Sequence, residues 1–163
     1  MLYTQKPHNF SPAFEAVSCI INYHGKILLL KRSLRVEFFG SYGAPTGKVH
    51  KDEPLQTAMH REIFEETGLA VPTDSLNFLK TFYVRYPQYD FIYHMYSLAI
   101  EAKPEIILNP REHNEFIWIN TKDALKLNLV PDMKPCLEYY LENIGEPHGR
   151  AAQLGINPPE KLE

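Results

Sequence analysis

The chain has 163 residues, 44% hydrophobic and 23% charged, with a formal net charge of −3. That is the profile of one soluble globular domain able to bury a core without covalent staples. No run reaches the roughly 18 apolar residues of a membrane span, and the negative balance offers no basic field to a nucleic-acid polymer or an acidic membrane. Cys19 and Cys136 sit among apolar residues and outside any CxxC pair. This usage fits small buried hydrophobes in a reducing cytoplasm rather than a disulfide framework. The opening MLYTQKPHNF lacks the charged-then-apolar order of a signal peptide.

In chain order, residues 15–22 (EAVSCIIN) and 27–32 (ILLLKR) flank a turn at 23–26 and predict a hairpin whose second strand is buried on both faces. Residues 35–47 contain Gly40, Gly43 and Gly47 and read as loop. A helix follows from about Pro54 to Thr67. Leu55, Ala58, Met59 and Ile63 form its apolar face, and Gly68 is placed for a left-handed cap. Residues 78–86 and 90–100 predict two strands around Pro87-Gln88-Tyr89, and 115–119 (EFIWI) a short one. A brief helix capped by Asn120 or Thr121 runs through Lys126. A last helix starts at Pro131 or Asp132 and ends at Gly145. The Gly- and Pro-rich residues 145–163 read as a loosely held tail. Strands, helix, strands, helix in one domain (core about 13–143) is an α+β order, with a mixed sheet between helices.

One helix feature is costly. Glu62, Glu65 and Glu66 fall at i, i+3 and i+4, so all three project from one side. Like charges at that spacing destabilise a helix by about 0.2–0.5 kcal/mol per pair. A bound cation would offset the repulsion, and hard divalent ions select carboxylate oxygens. Arg61, four residues before Glu65, is within helical reach to orient that carboxylate and leave Glu62 and Glu66 freer to face metal.

The cluster belongs to a longer pattern. Gly47, Glu53, Arg61-Glu62, Ile63, Glu65-Glu66, Gly68 and Leu69 fit G-x5-E-x7-R-E-U-x-E-E-x-G-U at every constrained position, U being a bulky aliphatic residue. This is the Nudix box, and the chain resembles a Nudix hydrolase of the MutT-like kind. The resemblance implies an α/β/α sandwich in which the box forms a loop-helix-loop. It also implies Mg²⁺-dependent hydrolysis (Mn²⁺ the alternative ion) of a diphosphate bond in a nucleoside diphosphate linked to another group. Carried onto this sequence, Glu62, Glu65 and Glu66 are the metal-binding carboxylates, Glu53 supports the site and Arg61 orients box carboxylates. A backbone carbonyl at Thr46 or Gly47 is the non-carboxylate ligand. The residue activating water varies within the family; here Glu112 and Glu115 are the candidates beyond the box, Glu112 also as a metal ligand. Many members enter the box through Pro-Gly-Gly, whereas this chain has Pro45-Thr46-Gly47. If residue 46 required positive φ, threonine would carry a steric cost there.

For substrate, the resemblance points to Arg32 on the phosphates, a role its forked donors suit. Lys48, Lys31 and Arg85 are weaker candidates. Phe38, Phe39, Tyr42, Tyr83, Tyr86 and Tyr89 are aromatics able to stack a base, and His94 reads as a strand histidine rather than a ligand. The expected substrate is a small (d)NTP or nucleotide sugar. Two alternatives belong to other classes: a nucleotide-sensing module without catalysis, and an enzyme like isopentenyl diphosphate isomerase. Strand 90–100 could pair across a homodimer as readily as within a core.

Overall fold

Two residues set the first hairpin. In the computed structural model, which describes residues 1–72 and 74–144, β2 (Pro12–Tyr23) and β3 (Lys26–Arg32) are joined by His24 and Gly25, with φ of 47° and 81°. A two-residue turn of this kind matches the natural twist of paired strands. β1 (Leu2–Tyr3), which the sequence does not reveal, pairs antiparallel with β6 (Asn77–Arg85). β6 turns at residues 86–89 into β7 (Asp90–Ile100), and β7 runs parallel to β2 from Pro12↔Asp90 to Tyr23↔Ile100.

The sheet divides along β2. Asn22 and Tyr23 pair with β3, whereas Ala16, Val17 and Ser18 pair with β5 (Thr46–Lys48). β3 continues onto β8 (His113–Asn120) and, near its end, onto β4 (Tyr42–Gly43). The stretch 35–47, read from sequence as loop, therefore carries β4 and the start of β5. Glycine and proline hide strands whose pairing is supplied from elsewhere in the chain. β8 also begins earlier than expected. The brief helix α2 (Thr121–Ala124) stops short of Lys126, because the Lys126 and Leu127 N–H groups bond back to Asp123 and Ala124 in a tightened turn. The expected end of the last helix at Gly145, and the tail 145–163, lie outside the described residues.

Strand alternation divides the core. Val17, Cys19 and Ile21 of β2, with Leu28 and Leu30 of β3, pack on Ala58, Met59 and Ile63 of α1 (Leu55–Thr67). Ile20, Ile27 and Leu29 face the other way, onto Met133, Cys136, Leu137 and Tyr140 of α3 (Met133–Asn143). Each large apolar side chain buried this way contributes about 1.5–3 kcal/mol. The outcome is an α+β sandwich, a mixed sheet between α1 and α3. Cys19 and Cys136 are free and on opposite faces, and burial pushes both thiols up. Among the described residues no helix is long and apolar enough to cross a membrane.

Pro54 precedes α1 in extended conformation, as its N-cap. Gly68 closes the helix at φ 72°, its N–H donating to the Phe64 carbonyl. The buried arc between them includes Glu62 and Glu66 beside Ala58, Met59 and Ile63. A helix rarely buries two carboxylates without a reason.

Candidate active site

The three box glutamates lie in three different environments. Glu66 is 2% exposed. Its Oε2 accepts the Thr46 N–H at 3.0 Å, and its Oε1 lies 3.2 Å from His113 Nε2. Glu62 is also buried. Its carboxylate rests against the Cα of Gly47, where an added Cβ would sit 1.8 Å from Glu62 Cδ. Gly47 is not among the positive-φ glycines, so this close approach is what requires glycine. Glu65 is half exposed.

Arg61 ties the loop to the helix. Its Nε and Nη2 each donate to Glu53 at 2.8 Å, Nη2 also donates to the Lys48 carbonyl, and Nη1 donates to Glu62. Glu65 lies farther off, at 3.6 Å. Arg61 does reach Glu65, as expected, but it holds Glu62 more closely, so the expectation that Glu62 is left freer is corrected. The loop carries Glu53 back onto Arg61, and the guanidinium then points at Glu62. The Arg61 hydrogen bonds, helped by the His50 N–H, hold the Glu53 carboxyl at about 2, below its ordinary 4.5. A depressed carboxyl stabilises the fold above its ordinary value and loses that contribution as pH falls towards the folded one. In the metal-free protein, Glu53→Gln is expected to cost about 2 kcal/mol at pH 7. The gap to wild type should close between about pH 4.5 and pH 2. Urea midpoints at several pH values check this; a gap constant to pH 2 would mean the fork is not the source.

Glu62 and Glu66 shift the other way. Burial pushes Glu62 up to about 7 against the opposing pull of Arg61, and burial likewise raises Glu66. Glu66, Glu112 and His113 each offer a ligand atom, all within 4.8 Å of one another. Glu112 accepts the Asn109 side-chain amide at 3.0 Å. Both ring nitrogens of His113 are buried; Nδ1 has no hydrogen-bond partner among the described residues, and Nε2 meets only Glu66 Oε1, an ion-pair approach at 3.2 Å. Buried carboxylates beside a buried imidazole fit a divalent cation. Thr46 and Gly47, expected to offer a carbonyl, lie against Glu66 and Glu62.

Thr46 does not have positive φ, so the anticipated steric cost does not arise. It is a strand residue. Its hydroxyl donates to the Ala44 carbonyl at 2.8 Å and lies 2.9 Å from the Ser18 hydroxyl.

A pocket of about 450 Å³ adjoins these groups. Glu62, Glu65, Glu112 and His113 line it together with Arg32 and Lys48, as do Val130–Met133 at the start of α3. Arg32 Nε donates to the Glu37 carbonyl, and the Lys48 ammonium lies 4.4 Å from the Phe14 ring centre. Of the aromatics singled out from sequence, Phe38, Tyr86 and Tyr89 line the pocket, whereas Phe39, Tyr42 and Tyr83 do not. Lys31, Arg85, His94 and Glu115 are not brought there either. Lys31 and Tyr42 engage the two oxygens of Glu115, Asp90 holds Arg85, and Thr81 and Glu15 hold His94. Neither cysteine lines the pocket.

Sequence reasoning passes over Phe14, Phe91 and Tyr93, although the period-2 alternation of β2 and β7 carries them: Phe14 with Ala16, and Phe91 with Tyr93, point to one side. It also passes over Asp132, whose carboxylate lies beside the Tyr86 hydroxyl, with Oδ1 3.8 Å from the Met1 amino group. Pro131-Asp132 reads only as a helix start. His113 has no local signal.

With this geometry in hand, likeness to known proteins becomes informative. A CTP pyrophosphohydrolase of Escherichia coli (strain K12) is 30% identical over 78% of this chain and 90% of its own length. The crystal structure of a MutT NUDIX hydrolase from Burkholderia pseudomallei is 28% identical, with a TM-score of 0.68 over 79% of this chain and 98% of that one. The NUDIX domain of Shewanella oneidensis NrtR, solved with ADP ribose, shares the fold at 21% identity, with a TM-score of 0.71 over 86% of this chain and 94% of that one. The NUDIX domain description matches residues 12–140, and the chain belongs to the NUDIX family as a Nudix hydrolase.

Proposed function

We propose that this Nudix hydrolase is a divalent-cation-dependent pyrophosphohydrolase of small nucleotides. It cleaves a (d)NTP to the monophosphate and pyrophosphate, or a nucleoside diphosphate linked to a sugar. The observation that carries the reading is one pocket joining the box carboxylates Glu62 and Glu65, three cationic side chains (Arg32, Lys48 and Arg61) and aromatic walls. The similarity to a CTP pyrophosphohydrolase supports it.

Glu66 would hold the ion with Glu112, and Glu62 and Glu65 lie beside them for a second ion shared with substrate. An ion held there would supply Lewis-acid stabilisation of charge at the phosphate and make water easier to deprotonate. Arg32 and Lys48 neutralise the phosphate chain and orient it. Glu112, through the carboxylate oxygen not on the ion, is the candidate to take the proton from water as it attacks phosphorus and the bridging P–O bond breaks. Arg61, which also lines the pocket, keeps Glu62 in position.

Asp132 and the aromatic walls form the base subsite. A base stacks between rings, and the Asp132 carboxylate, which lines the pocket beside the Tyr86 hydroxyl, would accept from an exocyclic amine. Cytosine and adenine carry such an amine; uracil presents a carbonyl instead. Asp132→Asn should therefore lower the kcat/KM ratio of CTP over UTP by about tenfold, since a charge-assisted hydrogen bond is lost and the amide can also donate to the carbonyl. Asparagine tolerates the φ of 69° at this position, so the fold should survive. An unchanged ratio would remove Asp132 from base recognition.

The deciding experiment is product analysis on a panel of NTPs, dNTPs and nucleotide sugars with Mg²⁺ or Mn²⁺. Monophosphate and pyrophosphate from a triphosphate support the reading. Binding without turnover would favour the sensing module, and turnover of isopentenyl diphosphate the isomerase.

A further inference from the structure

We propose that His113 is a direct ligand of the divalent ion, so that the centre combines an imidazole nitrogen with the carboxylates of Glu66 and Glu112. This rests on the metal reading above and adds a residue outside the box.

His113 is 4% exposed; its Nδ1 has no hydrogen-bond partner among the described residues, and its Nε2 meets only the Glu66 carboxylate, 3.2 Å away. A buried polar group so weakly satisfied is costly, and one lone pair on an ion offsets that cost. Two ligands at right angles, each about 2.1 Å from an ion, lie about 3.0 Å apart. His113 Nε2 and Glu66 Oε1 are 3.2 Å apart, which matches one edge of a coordination polyhedron. Glu112 is half-buried, precedes His113 in the chain and completes a set of ligand atoms within 4.8 Å. The Glu66 Oε2 already accepts the Thr46 N–H, so Oε1, beside His113, is the oxygen directed at the shared position.

The consequence is ion preference. Imidazole nitrogen suits Mn²⁺, Co²⁺ and Zn²⁺ better than Mg²⁺, which favours oxygen and retained water. A centre that includes His113 binds Mn²⁺ more tightly relative to Mg²⁺ than an all-oxygen centre would.

Pulsed electron paramagnetic resonance on the full chain loaded with Mn²⁺ alone tests this. The wild type should show the ¹⁴N coupling of a bound imidazole, replaced by the ¹⁵N pattern after growth on ring-labelled histidine. His113→Gln should abolish it. By calorimetry the same variant should lose about tenfold in Mn²⁺ affinity and less than about threefold in Mg²⁺ affinity. Should the variant fold poorly, anomalous diffraction from Mn²⁺-soaked wild-type crystals gives the answer directly, as an ion about 2.2 Å from His113 Nε2. Mn²⁺ bound at Glu66 without nitrogen coupling, or coupling that persists in His113→Gln, overturns the assignment while leaving the metal reading intact. No Mn²⁺ binding to wild type overturns both.

Discussion

Glu66→Gln is expected to lower kcat/KM by roughly 10³-fold while the protein stays folded. The magnitude follows from the several kcal/mol that an ion contributes by stabilising charge at phosphorus. Glutamine keeps the size and can still accept the Thr46 N–H that Glu66 accepts at 3.0 Å. It removes the charge an ion needs. It also removes the penalty of burying that charge in a site 2% exposed. In EDTA at pH 8 the variant should therefore melt at or above the wild-type temperature, and added Mn²⁺ should raise the wild-type melting temperature but not that of the variant. Opposite signs for activity and metal-free stability distinguish a functional carboxylate from a structural one. Turnover within about threefold of wild type would remove Glu66 from the centre, whatever the melting curves show.

The box was legible in sequence because its constraints are local. Gly68 after α1 and the apolar repeat within it follow from helix chemistry, and the structure has both in place; Pro54, expected in the first turn, stands one residue outside as the N-cap. Partners joined through space were not legible. The spacing of Glu62, Glu65 and Glu66 puts them on one side of a helix but is silent on which of them meets Arg61. Glu53 decides that, because the loop returns it to the guanidinium. β4 and β5 escaped notice for a related reason: strands of two or three residues in a Gly-rich stretch exist through pairing with β3 and β2, not through propensity. His113 and Asp132 are ordinary polar residues in sequence. Their interest comes from where the fold places them: β8 begins at His113 beside Glu66, and Asp132 lies at the pocket wall where α3 starts.

Gly47→Ala joins the local and the distant parts of the site in one methyl group. The new Cβ would stand 1.8 Å from Glu62 Cδ and 2.1 Å from each of its oxygens. The backbone itself accepts alanine, since φ is not positive, so the whole conflict falls on one carboxylate. That carboxylate ends a flexible side chain, so it can swing away at small cost to the fold, about 1 kcal/mol or less. Swinging away breaks its contact with Arg61 and displaces it from beside Glu66. A misplacement of about 1 Å at a reacting centre costs on the order of 100-fold in rate. Gly47→Ala should therefore melt close to wild type yet turn over about 100-fold more slowly. A double-mutant cycle isolates the cause. If alanine acts through Glu62, then in a Glu62→Ala background the Gly47→Ala change should alter turnover by less than about threefold, because the group it displaces is already gone. Effects that multiply in the double variant would instead place the role of Gly47 in the backbone of β5, independent of the carboxylate behind it.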